Sequence, residues 1–220
     1  GETAAARPPL TRAVKLDPRL AEAQMLLGWL AWKDGDVEAA RKGLEAAVAL
    51  DSRSAVAHAR LGALLLEQGR TDEALKELDV ATGLDAGLAE AQFWYGRALL
   101  VKGEGQQALE RRRKSATLAP GEPAHHLYTG LAHERLGQPA EAAEAYRAAI
   151  AHGPRLSDGY ERLARLQASL GDCPSAVAQL QKALEVAPRL ERLRVELGDC
   201  LGRLGKHGEA IAAYRQALQR

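Results

Sequence analysis

The sequence predicts an all-α solenoid of antiparallel helix pairs, and three observations support that fold class. Alanine and leucine, which are both strong helix formers, occupy 44 and 35 of the 220 positions. Small residues and prolines recur every 34 residues without an insertion, a pattern typical of structural repeats that stack on their neighbours. Aromatic residues make up only 4% of the chain, so aliphatic side chains must fill the core.

Each 34-residue unit is predicted to contain two short helices. In the first complete unit, Leu27 and Leu30 give the first helix an apolar face. Gly35 then suits the left-handed residue that ends a helix. A second helix carries Ala40 and Leu44 on one face, and a proline after several units prevents that helix from continuing.

Two glycine series mark these helices. The turn series is Gly35, Gly69, Gly103, Gly137, Gly171 and Gly205. The early series is Gly28, Gly62, Gly96, Gly130, Ala164 and Gly198. The early glycines lie inside a helix, where each costs about 1 kcal/mol relative to alanine. We therefore expect them to allow the paired helices to approach nearly backbone to backbone.

The phase of the repeats assigns residues 1–220 to a single solenoid domain. Residues 1–20 supply the second helix of a partial repeat, and residues 191–220 form the last repeat. The complete repeats are 21–54, 55–88, 89–122, 123–156 and 157–190. No polar capping helix follows Arg220, so we expect the chain to belong to a longer protein or to self-associate through an uncapped end.

These residues resemble the tetratricopeptide repeat family over essentially the whole chain. The resemblance is carried by the pairs Leu27-Gly28, Leu61-Gly62 and Leu197-Gly198, with the turn glycines, small alanines and terminal prolines. It implies a right-handed superhelical solenoid whose first helices line a concave, ligand-binding groove. The chain departs from the family where Gln24, His58, Gln92 and His126 replace an early aromatic residue that only Tyr160 retains.

Aromatic residues concentrate where the resemblance places this groove. Met25, Trp29 and Trp32 have the i, i+4, i+7 spacing of one continuous helical stripe. Partly exposed aromatic rings beside arginine are typical of binding hot spots. Packing between adjacent first helices is the alternative interpretation. The predicted partner-binding residues are Met25, Trp29, Trp32, Phe93, Trp94, Arg97, Leu127, Tyr128, Leu131, Arg135, Arg162 and Arg165.

Toward the C-terminal half the predicted inner face becomes charged. Arg135, Arg162 and Arg165 face inward by phase, together with acids such as Asp158 and Glu161. A peptide with an apolar segment followed by acidic residues would complement such a surface. We therefore expect a protein or peptide partner.

Three smaller patterns carry their own expectations. Cys173 and Cys200 lack the spacing of a zinc site, and two small buried thiols are expected. His126 and His133 are predicted to share a face opposite Tyr146, which suits a polar pocket better than a metal site. At Arg112 the other repeats have leucine or tyrosine, so we expect this side chain to reach solvent or meet an acid.

Composition and motifs exclude several classes of function. The formal net charge is +1, which disfavours nucleic-acid binding because no concentrated basic surplus exists. No apolar run approaches the ~18 residues that a membrane span needs. No phosphate-binding loop, metalloprotease or nucleophile-elbow motif occurs, so no catalytic activity, cofactor or metal is predicted. Asparagine is absent, which disfavours the family's carboxylate clamp and asparagine ladder.

The function predicted from the sequence is a non-enzymatic scaffold or adaptor that captures a peptide segment in its groove. Two alternatives stay open: a bacterial cell-envelope assembly factor resembling the pilotin lipoproteins of type IV pili, and the substrate-docking module of a larger enzyme. The alanine and arginine bias suggests a GC-rich bacterial genome. The compartment expected is the cytoplasm or, if a lipoprotein signal has been removed, the periplasm or outer membrane.

Overall fold

The computed structural model describes the backbone of residues 2–218 and the side chains of residues 6–218. Every regular element in this part of the chain is an α-helix, so the predicted all-α architecture is confirmed. Arg220 lies outside the described residues. The helices are α1 (Glu2–Leu16), α2 (Ala21–Lys33), α3 (Val37–Leu50), α4 (Ala55–Glu67), α5 (Thr71–Leu84), α6 (Ala89–Lys102), α7 (Gly105–Leu118), α8 (Pro123–Arg135), α9 (Pro139–His152), α10 (Ser157–Ser169), α11 (Cys173–Val186), α12 (Glu191–Arg203) and α13 (His207–Leu218).

The helices form two compact units, Gly1–Ala119 and Pro120–Arg220. The first unit contains α1–α7 and the second contains α8–α13. After α1, consecutive helices pack as pairs, from α2 with α3 to α12 with α13, and within a unit each pair also packs on the next. None of the helices in residues 2–218 is long and apolar enough to cross a membrane.

Turn glycines and capping side chains define the helix ends. All six turn glycines adopt the left-handed conformation that the sequence predicted, with φ between +68° and +87°. Two second helices then begin at an aspartate cap: the Asp36 carboxylate accepts from the Ala39 amide at 3.0 Å, and Asp172 accepts from the Ser175 amide at 3.1 Å. At these two turns the chain therefore enters a second helix whose first turn has a side-chain cap.

The early glycines allow close packing, but in two different ways. A Cβ at Gly28 would lie 2.9 Å from the Leu44 amide nitrogen, so backbone meets backbone there as predicted. In the other repeats with this glycine, the first atom met belongs to the side chain sixteen residues later, although the Ala74 and Ala108 carbonyl oxygens also lie 3.2 Å and 3.4 Å from a Cβ at Gly62 and Gly96. These pairs are Gly62 with Leu78, Gly96 with Arg112, Gly130 with Tyr146 and Gly198 with Tyr214.

Arg112 is buried instead of extending to solvent. Its exposed fraction is 1%, and it fills the space beside Gly96. The guanidinium lies 4.4 Å from the Phe93 ring centroid, and Nη1 donates to the Phe93 carbonyl at 3.4 Å. The expectation that Arg112 would reach water was therefore wrong, because an aromatic face and a carbonyl oxygen stabilise the cation inside the helix pair.

Most polar residues at the position of the early aromatic ring share one contact, including Arg194 of the last repeat. His126 instead stacks on His152. In four repeats the side chain donates a hydrogen bond to the carbonyl oxygen six residues earlier, in the turn between consecutive repeats. The pairs are Gln24 with Pro18, His58 with Ser52, Gln92 with Ala86 and Arg194 with Pro188. These departures from the family pattern thus attach the first helix of a repeat to the turn before it.

Candidate functional site

Three tryptophans line one cavity of the first unit. Trp29 and Trp32 on α2 and Trp94 on α6 surround a volume of about 430 Å³ together with Lys33, Glu67 and Glu90. The Trp32 and Trp94 ring centroids lie 5.7 Å apart at an interplanar angle of 47°. We call this site the tryptophan cavity.

Polar neighbours hold these rings in place while leaving them half-buried. Trp32 Nε1 donates to Glu67 Oε2 at 2.7 Å. The Arg97 guanidinium lies 4.5 Å from the Trp94 ring centroid, a cation–π distance. The indole N–H of Trp32 is therefore satisfied within the protein, and the ring faces supply the contact area of the cavity.

Arg60 belongs to this site although the sequence did not single it out. Its guanidinium lies 5.2 Å from the Trp29 ring centroid, and its Nε is 3.9 Å from Glu90 Oε2. Nε and Nη1 of Arg60 are buried without a hydrogen-bond partner. The signal that could have identified it is the repeat phase, because Arg60 stands 34 residues before Trp94.

Two residues predicted for the same groove take other positions. Met25 is 9% exposed in the apolar core and lines a separate cavity of about 290 Å³ with Val56. The Phe93 ring packs edge-on against Trp94, with the two ring centroids 5.5 Å apart, and its face contacts the Arg112 guanidinium. The structure thus brings Trp29, Trp32 and Trp94 together, with Arg97 stacked on the last of them.

A second cavity, of about 200 Å³, lies within the second unit. It brings together predicted residues of α8 and α10, which are Leu127, Tyr128, Leu131, Arg162 and Arg165. Asp158, Glu161 and Arg192 complete its lining. Arg135 lies exposed in the last turn of α8. We call this site the arginine cavity.

Most of the charge in the arginine cavity is paired internally. Glu161 is only 3% exposed and accepts from Arg192 at 2.6 Å and from Arg165 at 3.1 Å. Arg165 also donates to Glu196 at 2.9 Å, and this hydrogen bond is the largest cause of the raised pKa of Arg165. Among the described residues, Arg162 has no ion-pair partner. Arg162 is therefore the cation of this cavity that can pair with an acidic partner.

The histidines of the fourth repeat do not form a common site. His126 stacks on His152 with ring centroids 4.7 Å apart, whereas His133 Nδ1 contacts Gln138 Oε1 at 2.8 Å. The Tyr146 hydroxyl donates to Glu134, and burial raises its pKa. The two imidazoles, seven residues apart on α8, therefore contact opposite ends of the second helix of the repeat, α9, instead of meeting at one site. Within residues 2–218, no group of three or more potential ligands could hold a metal.

Comparisons with known proteins support the repeat assignment. A family model described as tetratricopeptide repeat matches residues 1–55, 27–89, 60–110 and 161–220, and a second model with that description matches residues 123–166. No curated protein matches the sequence.

Several solved structures share the fold at low identity. PilW, described as a widely conserved type IV pilus biogenesis factor, has a TM-score of 0.84 and 17% identity, covering 90% of this chain and 91% of its own. PilF of Pseudomonas aeruginosa has a TM-score of 0.77 and 21% identity, covering 91% and 90%. MamA of Desulfovibrio magneticus RS-1 has a TM-score of 0.66 and 19% identity, covering 77% and 96%. At these identities the likeness shows the fold alone.

Proposed function

The chain belongs to the tetratricopeptide repeat family, and from that premise we propose that it captures a peptide segment of a protein partner without catalysing a reaction. This repeat fold supports protein-interaction scaffolds, typically non-catalytic ones. The observation that carries the proposal is the tryptophan cavity. A chain with 4% aromatic residues places all three of its tryptophans around one opening.

Half-buried indole rings suit the capture of an apolar side chain. Each ring already packs on one side, so its side chain is ordered before binding. A partner that covers the other side therefore costs the protein little conformational entropy. Tryptophans in such positions dominate the binding energy of many interfaces. Lys33 and Glu90 supply a charged rim around the rings. We therefore propose an aromatic, aliphatic or proline side chain as the anchor that enters this cavity.

The arginine cavity favours a different partner group. Leu127 and Leu131 provide an apolar wall, and Arg162 provides a cation without an internal carboxylate partner. An acidic side chain next to an apolar one complements this arrangement. We propose such a pair as the recognition element of the second unit.

The experiment uses the tryptophans as both site and probe. Peptides selected from a random display library on the wild-type chain are titrated while tryptophan fluorescence is recorded. We expect a change in emission on binding and a roughly 30-fold or greater loss of affinity in the Trp29→Ala/Trp94→Ala variant, the loss typical of hot-spot residues. Val80→Ala is the matched control, since Val80 is an exposed apolar residue on α5.

Two outcomes would contradict this proposal. One is a double variant whose folded molecules bind the peptides as tightly as the wild type does, because the rings would then only pack the helices together. The other is selected peptides whose binding produces no fluorescence change. For the second unit, Arg162→Glu should weaken the binding of acidic peptides and reduce its dependence on salt. Equal binding at low and high salt by both proteins would argue against the role of Arg162.

A second candidate function is assembly of type IV pili. PilW and PilF each match about nine tenths of this chain over about nine tenths of their own length, and this extent of likeness supports the candidate. Deletion of the gene in its source bacterium, followed by electron microscopy of surface pili, tests this candidate. Unchanged piliation would remove it and would leave the peptide-capture proposal standing.

A further inference from the structure

In the tryptophan cavity, two indole N–H groups have no acceptor among the described residues. Trp32 Nε1 donates to Glu67 Oε2, but Nε1 of Trp29 and Nε1 of Trp94 make no hydrogen bond within residues 6–218. Both of these side chains are half-buried, and neither nitrogen is a buried atom without a partner, so both N–H groups reach solvent. A ligand that lies against these rings therefore meets two donors that the described residues leave unused.

Charged groups of both signs surround these rings. They are three cations and two carboxylates: Lys33, Arg60, Arg97, Glu67 and Glu90. Because the two signs nearly cancel, a charged partner group gains little from the site as a whole. An uncharged group whose oxygen atoms accept hydrogen bonds gains from both indole donors. The cavity therefore favours a neutral ligand that is rich in acceptors.

The backbone conformation of the ligand follows from the same hydrogen-bonding groups. Glu67 Oε2 accepts from Trp32, and Glu90 Oε2 lies 3.9 Å from Arg60 Nε, so each carboxylate of the cavity already has an internal partner. An α-helix uses its carbonyl oxygens internally, and an extended strand brings backbone N–H groups that need acceptors. Proline lacks the N–H, and a polyproline II helix leaves its backbone carbonyl oxygens open to donors.

Given the peptide capture proposed for the tryptophan cavity, on which this inference rests, we propose that the ligand is a proline-rich segment of a protein partner in the polyproline II conformation. Its pyrrolidine rings pack against the indole rings that line the volume of about 430 Å³. Two of its carbonyl oxygens accept from Trp29 Nε1 and Trp94 Nε1. Since a polyproline II helix is ordered before binding, the segment loses little conformational entropy on entering the cavity.

Decaproline that is acetylated and amidated at its ends is the probe. Titration of the wild-type chain should give saturable binding in calorimetry and a change in tryptophan fluorescence, whereas an alanine-rich peptide that is helical in the same buffer should not bind. The Trp29→Phe/Trp94→Phe variant keeps apolar rings at both positions but lacks the two indole donors. Its affinity for decaproline should be lower by roughly tenfold or more, and Trp32 remains in it as the fluorescent reporter.

Val80→Ala, an exposed apolar position on α5, is the matched control and should bind decaproline as tightly as the wild type does. Circular dichroism checks that the double variant is as helical as the wild type. If it is not, the single Trp94→Phe variant gives the same comparison, with an expected loss of roughly threefold or more.

The results that overturn this ligand class differ from those that overturn peptide capture. Decaproline that does not bind, while proline-free peptides bind and lose affinity in the Trp29→Ala/Trp94→Ala variant, would remove the ligand class and leave peptide capture standing. Equal affinity of the wild type and the phenylalanine variant for decaproline would also overturn the inference, because the indole donors would then contribute nothing. Peptide binding that never depends on the tryptophans would overturn peptide capture itself.

Discussion

At the scale of single residues, His58 illustrates how a polar side chain serves two structural elements at once. Its Nδ1 lies 2.6 Å from Glu77 Oε2, and its Nε2 lies 3.1 Å from the Ser52 carbonyl oxygen. His58→Leu removes both contacts and leaves two acceptors without a donor, so we expect a loss of about 2 kcal/mol in the free energy of unfolding. His58→Gln should cost about half as much, because an amide can keep the carbonyl contact, as at Gln92. Urea denaturation measures both, and equal losses would show that the carbonyl contact contributes nothing.

The Cys200 thiol carries a second prediction at this scale. Burial and the neighbouring Cys173 raise its pKa to about 11, while Arg203 acts in the opposite direction. Since the reactive species is the thiolate, its fraction should increase about tenfold for each pH unit between 7 and 10. The rate of modification of Cys200 in the wild-type chain, followed by peptide mapping after treatment with a small alkylating reagent, should increase in the same proportion. A rate that levels off below pH 9 would contradict the raised pKa.

At the scale of the helix pair, the early glycines can be ranked by what a methyl group would meet. At Gly28 it would meet the backbone of Leu44, which cannot move aside, so Gly28→Ala should cost about 1–3 kcal/mol. At Gly62 it would meet the flexible end of Leu78, and a smaller loss is expected. Gly202, inside α12, has no atom within 4 Å of that position, so Gly202→Ala should stabilise the protein by up to about 1 kcal/mol. Thermal unfolding of the three variants checks this order. Equal changes in Tm for all three would contradict it.

The same helix pairs show which structural features repeat phase can predict. The phase predicted the helix pairs and the left-handed glycines at the turns inside them, because one period fixes which residues face each other along neighbouring helices. Gly121, which is also left-handed, lies outside that series. It did not predict that Arg112 fills the space beside Gly96, since a side-chain conformation depends on the ring that happens to lie next to it. It also did not separate Trp29 from Met25, because a helical stripe wide enough to include both extends from the cavity into the core.

The candidate site was predictable to a similar extent. Leu127, Tyr128 and Leu131 line one cavity of the second unit with Arg162 and Arg165, and repeat phase had placed all five on first helices. Which arginine remains available could not be predicted from the sequence. Glu161 and Arg165 pair at i, i+4 within α10, but Glu196 and Arg192 reach this pair from α12 of the next repeat. Such reach depends on the geometry of packing. Repeat phase aligns Arg60 with Trp94, but it does not predict the contact of Arg60 with Trp29, which joins two repeats.

At the scale of the whole molecule, each compact unit has an apolar core made from its own residues. The clusters around Leu44 and Leu78 lie in Gly1–Ala119, and those around Tyr146, Leu180 and Leu193 lie in Pro120–Arg220. Within the second unit, each helix packs chiefly on its sequence neighbours. Stability in such arrays is approximately a sum of repeat and nearest-neighbour contributions, and local contacts favour rapid folding.

Residues 120–220 should therefore fold when expressed without the rest of the chain. We expect the far-ultraviolet circular dichroism spectrum of a helical protein and a cooperative thermal transition. The matched control is the same fragment with Leu193→Asp, which places a charge at a fully buried position and should abolish the transition. A coil-like spectrum of the unmodified fragment, in buffer where the full chain is helical, would show that its apolar clusters alone cannot offset the conformational entropy of about 100 ordered residues.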